Sequence, residues 1–179
     1  MGLTFLLGGA RSGKSRLAVS LASSCGARVT FIATAEGRDH EMSERIDAHR
    51  AARPAAWTTL EEPLDLARAV DAIGYDEVVV VDCLSLWVSN AFEAGMTANA
   101  IAETARAVAG TLARRSMPVI GVSNEVGLGI VPMHPLGRAY RDALGTVNAV
   151  WAAAAERTFL VVAGKVLPLG DAADVMRSR

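Results

Sequence analysis

The sequence predicts an α/β domain, a doubly wound and mainly parallel β-sheet with helices on both faces. Three observations carry this. Short apolar and β-branched runs alternate with longer stretches of helical periodicity, the pattern of repeated strand–helix–strand units. The strands read as unbroken apolar runs, Val78-Val79-Val80-Val81 above all, as a sheet covered on both faces requires. The first run then leads directly into Gly8-Gly9-Ala10-Arg11-Ser12-Gly13-Lys14-Ser15, which fits G-x-x-x-x-G-K-[ST] at a strand-to-helix junction.

In chain order, residues 3–7 form the first apolar strand, and helical periodicity begins at Lys14 and runs over 14–24. A second strand covers 29–33. Helices follow over 41–52 and 64–73, and the valine run makes 78–82 a buried strand that closes on Asp82. A long helix spans 98–115, a strand 119–122, and a second long helix 136–155. The chain ends on a strand over 159–162 and a candidate edge strand over 165–169. Residues 127–135, with glycines and prolines, are the most loop-like interior stretch.

The chain has 179 residues, 51% of them apolar, which suits one compact domain with a sizeable core. That domain is expected over residues 1–170, with 171–179 as a polar tail. A net charge of −1 and a pI near 6.3 leave no electrostatic footprint for nucleic acid or an anionic membrane. Cys25 and Cys83, the only cysteines, have neither zinc-site nor redox-pair spacing, so a reducing, cytoplasmic setting is expected. No stretch reaches the about 18 uninterrupted apolar residues that a membrane span needs.

In the glycine-rich segment, Gly8, Gly9 and Gly13 let backbone N–H groups of the loop, Ala10, Arg11 and Ser12 included, crowd around phosphate oxygens. The following helix adds its positive end. Lys14 supplies an ammonium for the outer phosphates, and the Ser15 hydroxyl is a ligand for Mg²⁺. Ligands in such sheets bind at the carboxyl ends of the strands, so the residues there come next. Asp82 is the expected second Mg²⁺ ligand; the other reading makes it the cap of a helix starting at Leu84. Ala33, Thr34 and Ala35 are small enough to let a nucleotide approach the backbone. Asn124 and Glu125 stand where a γ-phosphate sensor or an acceptor-hydroxyl base would sit, or else cap a loop.

On the helix over 41–52, Met42, Arg45, Ile46, His49 and Arg53 share one face, and Arg50 adjoins the histidine. Such arginines bind phosphate groups and set an imidazole beside them. Attack of that imidazole on an α-phosphorus would give a nucleotidyl-histidine. An incidental surface histidine is the alternative.

These segments together resemble the bifunctional adenosylcobinamide kinase and adenosylcobinamide-phosphate guanylyltransferase family of cobalamin assembly. The resemblance rests on GGARSGKS at 8–15, IATA at 32–35, the histidine segment with its RP-x-x-W-x-T-x-E continuation to Glu61, and Asp82-Cys83. It extends through SNEVGLGIVP at 123–132 and R-x-YRD-x-x-G-x-x-N from Arg138 to Asn148. It implies a P-loop NTPase-like (RecA-like) fold and a two-step enzyme. ATP or GTP phosphorylates adenosylcobinamide; GTP then guanylylates His49, and the GMP passes to adenosylcobinamide phosphate to give adenosylcobinamide-GDP. By the same resemblance GTP lies on residues 8–15, on Ala33, Thr34 and Ala35, on Arg50, Ala51, Ala52 and Arg53, and on Glu61 and Asp82. Lys14 and His49 carry the catalysis, Mg²⁺ is the cofactor, and the protein is a homo-oligomer, a trimer. Trp87 and Trp151 are candidates for corrin, core or subunit contacts. A one-step kinase with a structural His49, or a nucleotide-driven switch, are the competing readings.

Overall fold

The computed structural model describes residues 2–37, 40–171 and 176, with backbone only at 41 and 45. The expected tail therefore falls largely outside the described residues, as does the side chain of Arg45. Among the described residues seven strands form one sheet in the order β3-β2-β4-β5-β1-β6-β7. They are β1 (Leu3–Gly8), β2 (Val29–Ala33), β3 (Thr58–Glu61), β4 (Val78–Asp82), β5 (Val119–Asn124), β6 (Arg157–Val162) and β7 (Lys165–Leu169). Every neighbouring pair is parallel except β6–β7, which is antiparallel. The six parallel strands thus end at one edge of the sheet, and the β6–β7 turn returns there too.

The helices are α1 (Lys14–Ser23), α2 (His40–Ala51), α3 (Leu66–Asp71), α4 (Leu84–Glu93), α5 (Ala98–Ala113) and α6 (Pro135–Ala154). Alternation along β4 shows how the two faces are filled. Val79 and Val81 join the large core made with α3, α4, α5 and α6, while Val78 and Val80 join a smaller one under α1. All four valines are fully buried, worth about 1.5–3 kcal/mol each in area removed from water. Helices cover both faces, as expected, but unequally.

β3 was not foreseen, and α4 only in the alternative that starts a helix at Leu84. β3 carries one large apolar side chain, Leu60, in Thr-Thr-Leu-Glu, and lies at the sheet edge where no apolar run is needed. In α4 the buried side includes Ser85 and Asn90 beside Leu84, Trp87, Val88 and Ala91, so polar residues interrupt the apolar stripe that marks a helix. Elsewhere predicted bounds shift by a residue or two, the usual fraying, and β5 and β6 are each two residues longer than their predicted runs.

Trp87 and Trp151 are both wholly buried and serve as core, not as corrin or subunit contacts. Trp87 donates its indole N–H to the Leu64 carbonyl at 2.8 Å. Trp151 lies across Gly121, whose missing Cβ would come within 2.7 Å of its ring. Only glycine in β5 lets α6 pack that close.

Candidate active site

Because β1 to β6 run parallel, their last residues assemble around one cleft of about 1340 Å³. It is lined by Ala10 to Arg16 of the glycine-rich loop and by Ala33, Ala35, His49, Arg50, Arg53, Glu61, Asp82 and Asn124, among others. β5 lies between β1 and β4, which sets Gly8 in register with Asn124 and leaves Asp82 one strand farther on. The space between loop and carboxylate is thus bounded by Asn124.

The loop is shaped from within. Lys14, 7% exposed, folds back so that Nζ donates to the Gly9 carbonyl at 2.7 Å and reaches Ser12 Oγ at 3.4 Å. Burial lowers the Lys14 pKa, opposed by the nearby Cys83 and Asp82. The Gly9 carbonyl and the Ser12 hydroxyl hold the Lys14 side chain at the loop. Gly13 has φ 101, a conformation that favours glycine, and Arg11 also takes a positive φ of 57.

Ser15 and Asp82 both line the cleft, which brings together the two residues expected to share a metal. Burial raises the Asp82 pKa; the neighbouring Ser15, His49, Arg53 and Lys14 pull the other way. An oxygen-donor pair beside a phosphate loop suits Mg²⁺, which takes one or two protein oxygens and fills its octahedron with phosphate and water. Asp82 does not cap α4. The N-cap is Cys83, without a side-chain cap, and burial pushes its thiol up to about 11.

His49 is exposed on α2 and lines the cleft. Arg50 pairs with Glu61, and also reaches Asp47 at 3.4 Å. Arg53 stacks its guanidinium 3.7 Å over the Phe31 ring and reaches Thr59 Oγ1 at 3.5 Å. Phe31 in turn stacks on Trp57. The end of α2 is therefore tied to β2 and β3, while among its described side chains none is fully buried.

Several expected nucleotide contacts stand elsewhere. Thr34 is fully buried: its hydroxyl donates to the Cys83 carbonyl at 2.7 Å and accepts from the Cys83 N–H at 2.9 Å. It fastens the end of β2 to that of β4. Ala51 and Ala52 are exposed and lie off the cleft lining, as do Gly8 and Gly9. Gly8 has a packing reason instead, since a Cβ there would meet the Val161 carbonyl at 2.2 Å. Glu125 caps its own loop by accepting the Gly127 N–H and does not line the cleft.

Asn124, a candidate in the sequence, lines the far wall, and Ser85, which the sequence reading did not single out, supports it. Asn124 Nδ2 donates to Ser85 Oγ at 3.0 Å, and Ser85 Oγ lies 3.0 Å from Cys83 Sγ. α6 holds this group from behind: Tyr140 donates to the Ser85 carbonyl at 3.1 Å, and Asn148 to the Asn124 carbonyl at 3.0 Å. Ala163 and Gly164, in the β6–β7 turn, also line the cleft. The fold brings these together across more than 70 residues of chain, so the contacts among them could not be read from any one local pattern.

The family described as cobinamide kinase / cobinamide phosphate guanyltransferase (CobU) matches residues 4–169. The bifunctional adenosylcobalamin biosynthesis protein CobP of Pseudomonas aeruginosa is 44% identical over 92% of this chain and 95% of its own length. The bifunctional adenosylcobalamin biosynthesis protein CobU of Escherichia coli K12 is 38% identical over 90% and 96%, and that of Salmonella typhimurium 36% over the same shares. Among solved structures, PH0250 of Pyrococcus horikoshii aligns with a TM-score of 0.57 over 93% of this chain and 85% of that one, at 6% identity. The KaiC-like protein PH0186 of the same archaeon gives 0.50 over 89% and 70%, at 14% identity. Those two likenesses concern the fold, a RecA-like α/β sheet. With the family pattern running from β1 to the end of β7, the chain belongs to the cobinamide kinase / cobinamide phosphate guanyltransferase family.

Proposed function

We propose that this chain performs both reactions for which its family is named, and that one triphosphate cradle serves both. The observation that carries this is the shared cleft: Lys14, Ser15, Asp82 and His49 line the same space. In the first reaction residues 10–15, Lys14 among them, hold the phosphates of ATP or GTP; the hydroxyl of adenosylcobinamide attacks the γ-phosphorus, the bond to the β-phosphate oxygen breaks, the nucleoside diphosphate leaves and the hydroxyl proton passes to solvent. Phosphoryl transfer asks mainly for positioning and charge compensation, which the buried ammonium supplies. Ser15 and Asp82 would hold Mg²⁺, which neutralises charge on the outer phosphates when bound.

In the second reaction the imidazole of His49 attacks the α-phosphorus of GTP. A nitrogen–phosphorus bond forms, the bond to the β-phosphate oxygen breaks, and pyrophosphate leaves. The phosphate of adenosylcobinamide phosphate then attacks the same phosphorus, releasing His49 and yielding adenosylcobinamide-GDP. Arg50 and Arg53 are placed to balance the negative charge. For this step α2 moves toward the loop, a motion supported by its shallow packing.

Assaying the two half-reactions separately tests the division of labour. His49→Ala is expected to keep the kinase and lose guanylyl transfer, whereas Lys14→Ala lowers both by about 10²- to 10³-fold, by analogy with removing one transition-state donor. Guanylyl transfer at full rate in His49→Ala would remove the histidine from the chemistry. An unaltered rate of both steps in Lys14→Ala would disprove the shared cradle.

A further inference from the structure

β6 and β7 are joined by the two residues Ala163 and Gly164, with Val162 paired to Lys165. Both turn residues have positive φ, 50 and 75, as the tight two-residue hairpin turn of type I′ demands. Alanine adopts that conformation rarely, and here the closed strand pair imposes it. The turn is also pressed onto the phosphate loop. The Gly164 N–H donates to the Ser12 carbonyl at 2.8 Å, and the missing Cβ of Gly13 would lie 3.4 Å from Gly164 Cα. Two residues before the turn, the Val161 carbonyl occupies the space a side chain on Gly8 would need.

A loop that turns its N–H groups toward an anion turns carbonyls away from it, and each carbonyl removed from water needs a donor. The Gly9 carbonyl has Lys14 Nζ and the Ser12 N–H; the Ser12 carbonyl has Gly164. Ser12 is buried, so water cannot easily replace that donor.

We infer that the Ala163-Gly164 turn is a positioning element of the nucleotide site, holding Ser12 and Gly13 in the conformation that binds triphosphate and so acting on both reactions. This rests on the reading of residues 10–15 as the nucleotide cradle. The turn reacts with nothing. It fixes where the loop amides point before the nucleotide arrives, and losing it lowers affinity more than turnover.

The test compares Gly164→Val with Gly164→Asn in the full chain. There is room for a Cβ, since the nearest atom, an Arg16 nitrogen, would lie 3.6 Å away, so the difference reports φ. Valine resists positive φ; asparagine tolerates it. Titration with GTP and with ATP in the presence of Mg²⁺ is expected to show Gly164→Val raising Kd for both by about tenfold, the cost of a buried carbonyl deprived of its donor. KM should rise in both half-reactions with kcat changed less, and Gly164→Asn should recover most of the affinity. In the wild-type chain the Gly164 amide should exchange with solvent slowly, and more slowly still with GTP bound, a readout that holds if Gly164→Val does not fold. A folded Gly164→Val that binds both nucleotides as tightly as wild type, or a Gly164 amide exchanging like an unbonded one, would overturn the inference while leaving the cradle intact. Failure of the wild-type chain to bind either nucleotide would instead overturn the cradle reading and the inference with it.

Discussion

At Asp82 the folded chain holds a carboxylate whose charged form is disfavoured by burial faster than Ser15, His49, Arg53 and Lys14 restore it. Its pKa is raised, so between the unfolded and folded values the native state binds more proton, and this residue's contribution to stability grows as pH falls through that window. At neutral pH it is a cost. Asp82→Asn is therefore expected to raise the melting temperature of the nucleotide-free protein while lowering both activities by about 10²-fold or more. Thermal melts with Mg²⁺ absent, beside the two assays, check it; a lower melting temperature would mean that the four partners outweigh burial. Asp82, Ser15 and Lys14 were legible because the chemistry of each follows from its place at a strand end or in the loop. Thr34 was not, because its partner Cys83 is distant in sequence and only the β2–β4 pairing brings them together.

α2 and α6 differ in how the fold holds them. α6 buries Ala143, Leu144, Val147, Asn148 and Trp151 and is keyed to the cleft by Asn148 and Tyr140. α2 buries none of its described side chains, and its tether from Arg50 to Glu61 is a largely exposed ion pair, worth about 0–1 kcal/mol. Hydrogen exchange should thus be much faster through residues 42–51 than through α6 in the free protein, and should slow when GTP binds. Equal protection of the two helices in the free protein would contradict a mobile α2. The periodicity of α2 and α6 could be read from the sequence. That of α4 could not, since Ser85 and Asn90 are buried for hydrogen bonds and not for hydrophobicity.

Over the whole molecule, parallel pairing carries the argument, because it alone turns scattered strand-end residues into one site. The valine run and the phosphate loop made that architecture readable, whereas the strand order depends on crossovers that no local pattern encodes. On the surface, Leu128, Ile130, Val131, Met133 and Leu136 are exposed within one stretch of chain, Ile130 at 97% and Met133 at 95%. So much apolar surface suits burial between subunits. The family resemblance implies a trimer, so light scattering is expected to give about three times the 18.7 kDa chain mass, and charged substitutions at Ile130 and Met133 should lower it. A monomer at micromolar concentration would contradict that expectation. The account as a whole depends on His49 carrying guanylate in transit. Intact-mass measurement after incubation with GTP and Mg²⁺ tests this most directly. The predicted result is one GMP-sized increment, acid-labile and alkali-stable, absent from His49→Ala; an active enzyme that never gains that mass would contradict it.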